Sequence, residues 1–484
     1  MLRCKVQKRC RGTVASACSQ WTAGSSPALT NEGSMASVIG ELASFVTGAK
    51  ASALPSAERE RLELHLTDTV VAALAGACIP EGKALQNFGG ARGLADSIGR
   101  RAAATRLTEI DDIHMPSCIT PSAGIVPVAL ALAASSQNFE PEAVASAIWA
   151  GTEITTRIGV AAGGPEILYR GIWPTYLAAP VAAAATAARL FGLDEPRVGH
   201  ALSLAFMLMA GGVGRIHGAP SGRWFLYANA VASGVAAAEA ARAGYRGDPQ
   251  LLDKEWLADT HGITLDRARL TDQLGAGSVY PALSIKPFCS AKQAIAAVEA
   301  FETIVHQENL NASAITRIQV HVPPAYAGMI ATRAEPGARQ STLVSVAYQI
   351  ALSELAPARL YDVDRSAPTE DADVMQFAAK VEVAPAAELA SFYPLHWPAE
   401  VEVEVDGRTF RHCVVAAAGD PEHALGRAEI DEKAHRVLDG FIGAAQVDQW
   451  LTMCHGALHS RAGCEKLVAT FASFDGGGTL GAKT

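Results

Sequence analysis

Apolar residues recur at helical spacing, every three or four positions, through most of the first half of the chain. The pattern predicts apolar helices over residues 58–77, 125–135, 141–158 and 181–190, and an alanine-rich one over 229–243. Alanine runs such as Ala182-Ala183-Ala184-Ala185 have high helix propensity and favour close helix packing. Gly192-Leu193-Asp194-Glu195-Pro196 interrupts the pattern and supplies a fresh helix start, and Gly244 and Gly247 close the 229–243 helix.

After Gly275 the period changes. Ile315-Thr316-Arg317-Ile318-Gln319-Val320-His321-Val322 alternates as a half-buried strand does, and residues 381–383 form a short second strand. Residues 401–405, then Asp406-Gly407, then 408–415 predict a hairpin with a primed turn. Helices over 291–301 and 341–355 are placed to cover this sheet, and beyond residue 422 the helical period returns to about residue 457. The chain is therefore expected to be mainly α. A large all-helical domain is built from residues 36–276 and 420–460, and a smaller α+β lid domain, 277–419, is inserted in it. Residues 461–484, which contain Gly476-Gly477-Gly478, are expected to be a flexible tail.

Composition narrows the functional classes. Half of the 484 residues are hydrophobic (49%) and only 18% are charged, so a sizeable core is available and general disorder is excluded. A formal charge of −9 without a basic stripe argues against nucleic acid as a partner. No apolar run reaches the ~18 residues that span a bilayer, so no membrane partner is expected. The nine scattered cysteines include no Cys-x-x-Cys pair, which fits a reducing compartment and offers no thiolate metal site. Residues 1–34 are set apart: Arg3, Lys5, Lys8, Arg9 and Arg11 face one acid, Glu32. That is the composition of an organelle transit peptide, or else of sequence upstream of a functional start at Met35. A cytoplasmic location is expected in the second case and a mitochondrial one in the first.

The candidate chemistry is concentrated in Glu109-Ile110-Asp111-Asp112-Ile113-His114, between two apolar segments. Carboxylates this close push one carboxyl pKa upward, as a general acid or base needs. The alternative is structural: Asp111 or Asp112 caps a helix.

Further pieces fall in a recognisable order: Asp68-Thr69-Val70 with Ala75-Gly76; the acidic run with Pro121-Ser122 and Pro127; Gly171-Ile172-Trp173-Pro174-Thr175; Gly234-Val235; Lys286-Pro287-Phe288; and Gly419-Asp420-Pro421. Together they resemble the MmgE/PrpD family, whose members include 2-methylcitrate dehydratases, cis-aconitate decarboxylases and an iminodisuccinate epimerase. The resemblance implies a cofactor-free, metal-free lyase, acting as a homodimer on a small di- or tricarboxylic acid by proton abstraction alpha to a carboxylate. It implies most directly a 2-methylcitrate dehydratase-like hydro-lyase. An epimerase or decarboxylase on a related acid, or an inactive paralogue serving as a binding protein, are the alternatives.

On this resemblance Glu109 or Asp112 is the expected base, His114 or His217 the acid, and Lys292 or Arg215 the carboxylate clamp, with Lys286, Thr120 and Thr175 as further substrate contacts. Several family imidazoles are replaced: Thr120 stands in a His-Pro element, Trp173 in Gly-x-His-Pro-Thr, and Ile295 where a further His is usual. Each candidate also has a plain structural role open to it. His217 fits a glycine-rich loop, Thr175 a helix cap, Lys286 a strand end, and Cys289 a small buried filler.

Overall fold

The computed structural model describes residues 37–87, 93–209, 222–335, 338–365 and 371–474. Its long helices form where the apolar periodicity places them: Ser56–Cys78, Ser122–Ser136, Pro141–Ala161, Pro174–Leu190 and Gly222–Arg242. Asp194 caps the next one, Glu195–Met207, by accepting from the backbone N–H of Arg197. These helices are rich in alanine and glycine because their axes run close together. A Cβ on Gly76 would lie 1.9 Å from the carbonyl oxygen of Ala104, and one on Gly234 would lie 2.0 Å from that of Pro180. Among the described residues no single helix is long and apolar enough to cross a membrane.

The sheet occupies the predicted spans. Its strands β1 (Ile315–Val322), β2 (Val381–Pro385), β3 (Ala399–Val405) and β4 (Arg408–Val414) lie in the order β2-β1-β3-β4. β1 and β2 are parallel and the other pairings are antiparallel. Asp406 and Gly407, at φ 49° and 72°, make the two-residue turn of positive φ that suits the twist of a hairpin. Val401, Val403 and Val405 point into the core while the glutamates between them stay partly exposed. The helix Lys292–Glu308 packs across β3 and β4. The fold is thus mainly α with a smaller α+β part.

Two expectations are corrected. The helix expected over residues 341–355 is two: Arg339–Val344 ends at Ser345, whose hydroxyl then caps Val346–Leu355 by accepting from Tyr348 N–H. The expected flexible tail begins instead with a helix, Arg461–Ser473, capped by Ser460 and burying Leu467, Val468 and Phe471. Apolar residues at helical spacing in that stretch signal the helix; residues 475–484 lie outside the described residues.

Two large hydrophobic clusters result. One is formed chiefly by the helices of the first half and by those after residue 427, and the other gathers around the sheet. Ile113, Met115, Cys118 and Leu168 belong to the second cluster although they come from the first half of the chain. The acidic run therefore lies at the seam between the two.

Gly76→Ala is expected to cost about 1–3 kcal/mol by overpacking against the Ala104 carbonyl. Gly456→Ala, in a helix with open space around the added methyl, should cost nothing. Urea unfolding of the two variants against wild type checks the contrast.

Candidate active site

The helix Leu94–Arg106 ends with Arg106, and the chain turns through Glu109 in a left-handed conformation, φ 57°. That is an uncommon region for a residue other than glycine. Two contacts hold the turn: the carbonyl oxygen of Glu109 accepts from Ser290 N–H at 3.3 Å and from Lys286 Nζ at 3.4 Å. Residues 113 and 284 then bridge through paired backbone hydrogen bonds of 2.9 and 2.8 Å, which bring Lys286 alongside the acidic run.

Glu109 is the centre of a buried charge network. Its Oε2 pairs with Arg106 Nη1 at 2.8 Å and Lys286 Nζ at 3.3 Å, and its Oε1 with Arg223 Nη2 at 2.9 Å. Asp111 Oδ1 shares two of these cations, Arg106 at 3.3 Å and Lys286 at 3.2 Å. Arg223 also donates to Gln340 Oε1, and its guanidinium sits 3.8 Å from the Trp224 ring centroid and 5.1 Å from that of Trp173. Burial alone pushes the Glu109 carboxyl up, but Arg106, Lys286 and Arg223 together more than reverse it and hold the group far below the usual carboxylate range. Asp111 goes the other way: burial raises it, Glu109 and Asp112 add to the rise, and Arg106 and Lys286 offset it only in part.

A second tier holds this network from behind. The Lys433 ammonium donates to Asp68 Oδ1 at 2.6 Å, to the Ile110 carbonyl at 2.8 Å and to the Lys286 carbonyl at 2.7 Å, so all three of its protons are used. Lys292 Nζ pairs with Asp420 Oδ1 at 2.7 Å, and Asp420 also accepts from Ser284 Oγ and Ala417 N–H.

These groups open on a small cleft lined on its polar side by Arg106, Glu109, Arg223, Lys286, Lys292 and Gln340. Thr120 and Thr175 also line it and are tied together: Thr175 Oγ1 accepts from Thr120 N–H at 3.1 Å. Trp173 and Cys118 complete that end, and burial pushes the Cys118 thiol up to about 12, so it stays protonated.

Of the sequence candidates, then, Glu109, Lys286, Lys292, Thr120 and Thr175 are brought together. Asp112 and His114 are not. Asp112 accepts from Ser122 N–H at 3.1 Å, from Ser122 Oγ at 2.5 Å and lies 2.9 Å from His65 Nδ1; it caps the helix Ser122–Ser136 from ten residues upstream and is fully buried. His114 turns away from the cleft to Ser117 Oγ at 2.9 Å, and burial lowers it to about 4 against a weaker opposing effect of Asp112. A histidine neutral at physiological pH is a poor proton donor there. Arg215 and His217 fall in residues 210–221, outside the described residues. Thr175 is not a cap, since Trp173 holds that position, and Lys286 is buried on Glu109 rather than at an exposed strand end. Cys289 is a buried filler whose thiol donates to the Thr108 carbonyl. Arg106, Arg223 and Gln340 went unnoticed in the sequence. Arg106 lies three residues before Glu109, a spacing that flags the pair, but no local signal marks the other two.

Among the described residues no group of three or more His, Cys, Asp or Glu side chains is arranged to hold a metal. The chain matches the MmgE/PrpD N-terminal domain over residues 100–262 and the MmgE/PrpD C-terminal domain over residues 288–455. No curated protein matches it.

Lys433→Met leaves Asp68 buried without its partner and should cost about 3–5 kcal/mol in urea unfolding, the usual penalty for breaking a buried pair. The His114 shift has a definite sign. Between pH 6.5 and about 4 the unfolded chain binds the imidazole proton more readily than the folded one, so stability falls as pH drops through that window. His114→Gln should flatten unfolding free energy against pH there, by on the order of 3 kcal/mol.

Proposed function

This chain belongs to the MmgE/PrpD family, and from that membership and the cation-lined cleft we propose that it is a lyase of a small carboxylic acid, a dehydratase-type enzyme that breaks a C–H bond alpha to a substrate carboxylate. In its finer form the reading is a cofactor-independent hydro-lyase on a di- or tricarboxylic acid, similar to 2-methylcitrate dehydratase. The observation that carries it is the Glu109 carboxylate standing in the cleft wall in the grip of three cations.

In the empty cleft those cations make Glu109 a weak base. A bound carboxylate changes this, because it competes for Arg223 and Lys286. Each hydrogen bond it takes from them is one fewer stabilising the ionised Glu109, whose proton affinity rises as the substrate seats. Glu109 then takes the alpha proton, and Arg223 and Lys286 stabilise the negative charge that accumulates on the substrate carboxylate more than they stabilise the ground state. Lys292 hands a proton to the departing hydroxyl, which leaves as water, and solvent returns the proton from Glu109 to Lys292. Thr120 and Thr175 supply neutral hydrogen bonds that fix the substrate pose.

A second reading, decarboxylation, is favoured by one observation: no imidazole lines the cleft among the described residues, and Thr120 and Trp173 stand at two positions where the family pattern has one. Carbon dioxide leaves its bonding electrons behind, so the step needs no base; the carbanion that forms beside the cations takes a proton from Lys292, which solvent reprotonates.

The test is incubation with citrate, 2-methylcitrate and cis-aconitate in D2O, followed by mass spectrometry. Loss of water marks the hydro-lyase, loss of carbon dioxide the decarboxylase, and deuterium uptake without further mass loss an epimerase. Glu109→Gln should lower the rate at least ~100-fold, the range for loss of a general base. Wild-type rates in that variant, or no exchange and no turnover with any of these acids, overturn the reading.

A further inference from the structure

Asp111 stands one layer behind the cleft. It is fully buried and is not part of the cleft lining, yet it shares two cations with Glu109. Lys286 Nζ bridges Glu109 Oε2 at 3.3 Å and Asp111 Oδ1 at 3.2 Å, and Arg106 Nη1 bridges the same two oxygens at 2.8 and 3.3 Å. Asp111 Oδ2 is buried without a hydrogen bond. The other ionisable groups acting on it among the described residues are Asp112, Tyr176 and Tyr227. Asp112 is held by Ser122 and His65, and burial pushes both phenols up, so they stay neutral.

The charges of this network do not balance. With both acids ionised, three cations (Arg106, Arg223 and Lys286) face two carboxylates (Glu109 and Asp111). The neighbouring cations are matched: Lys292 by Asp420, Lys433 by Asp68 and Arg339 by Glu81. One ligand carboxylate fills the excess. A second leaves a net negative charge in a buried site, which is costly unless one of the network's own carboxyls takes a proton. Glu109 meets three cations through two oxygens, whereas Asp111 meets two through one oxygen and has nothing to bond with the other. Asp111 is therefore the acid that gives up its charge. Burial, with Glu109 and Asp112 adding to it, already holds that carboxyl above its usual range.

We propose that Asp111 is a positioning residue for the carboxylate clamp: a dicarboxylate enters the cleft together with one proton, Asp111 takes that proton, and Lys286 is thereby released to hold the ligand. The proton reaches the buried carboxyl through Lys286. The ammonium gives a proton to Asp111 Oδ1 and regains one from solvent in the cleft, so its own charge is unchanged. The inference rests on the cleft being the carboxylate site argued above, but it concerns binding and does not require turnover.

Calorimetry of malonate binding to the full chain decides it, run in buffers of different ionisation heat and over a pH range where malonate is fully ionised. About one proton is expected to be taken up per malonate, with affinity weakening by up to about tenfold for each unit of rising pH, the slope of one linked proton. Asp111→Asn keeps an oxygen for Lys286 and Arg106 but carries no charge at any pH. It should bind malonate without proton uptake, nearly independently of pH, and at least about tenfold tighter than wild type at the alkaline end of the range. Loss of a residue that merely held the fold would weaken binding at every pH and leave the slope in place. Circular dichroism confirms folding, and Asp111→Ser, equally unable to ionise, serves if the Asn variant does not fold. Lys286→Met should weaken malonate at least about tenfold, which locates it in the cleft. Malonate binding without proton uptake, or uptake that persists in Asp111→Asn, overturns the proposal and leaves the lyase reading standing. Failure of malonate to bind at all overturns both. Uptake that is lost in Asp111→Asn, in a protein that turns over none of the acids, keeps this inference and removes only the catalytic reading.

Discussion

A carboxylate buried among three cations is the constraint on which the rest of the cleft depends. Arg106, Arg223 and Lys286 are each almost wholly out of water, and a buried cation is costly unless it is paired and hydrogen-bonded. Glu109 is the group that all three share. Because these residues arrive from distant stretches of the chain, their pairing also fixes how those stretches meet. The Leu94–Arg106 helix, the loop through Glu109, the segment at Lys286 and the start of the Gly222–Arg242 helix are held in one geometry. Lys433 extends the same logic to the C-terminal helices. Its ammonium seals the backbone carbonyls of Ile110 and Lys286, one from each side of the network, and is itself neutralised by Asp68.

Counting partners also explains why two carboxylates two residues apart are pushed in opposite directions. Glu109 uses both oxygens and meets three cations. Asp111 uses only Oδ1, on two cations it must share, while its Oδ2 is buried without a hydrogen bond. Burial is what chiefly raises the Asp111 carboxyl, with the neighbouring carboxylates adding to it, and position relative to Arg106, Lys286 and Arg223 decided that Glu109 went the other way. That choice cannot be read from the run itself.

The same division separates what the sequence reveals from what it hides. Helices and strands were legible because each is signalled by its own local period: β1 by strict alternation, the β3–β4 hairpin by Asp406-Gly407, and the long helices by apolar spacing. The break at Ser345 was hidden because apolar residues continue on both sides, and only a side-chain cap marks it. In the site, Lys286 and Lys292 were visible through the motif that carries them. Arg223 and Gln340 were not, since each gains its meaning from a partner more than a hundred residues away. Asp112 looked catalytic by composition and serves instead as the cap of a helix whose own preceding residue, Pro121, has no side-chain oxygen to offer.

The replaced imidazoles acquire a physical meaning once their surroundings are known. Ile295 is fully buried in the sheet-side cluster, so that change is one of packing. Thr120 and Trp173 both line the cleft, and there the changes alter the medium. An indole in place of an imidazole removes a titratable group and widens the apolar wall beside Arg223. A less polar wall strengthens each ionic contact across the cleft and raises the cost of any charge left without a partner. The cations consequently cling harder to Glu109 while the cleft is empty, and a ligand carboxylate that displaces it gains more from them. On the proposed mechanism selectivity and base strength are linked: the substrate that best satisfies Arg223 and Lys286 is also the one that most fully releases Glu109 to act.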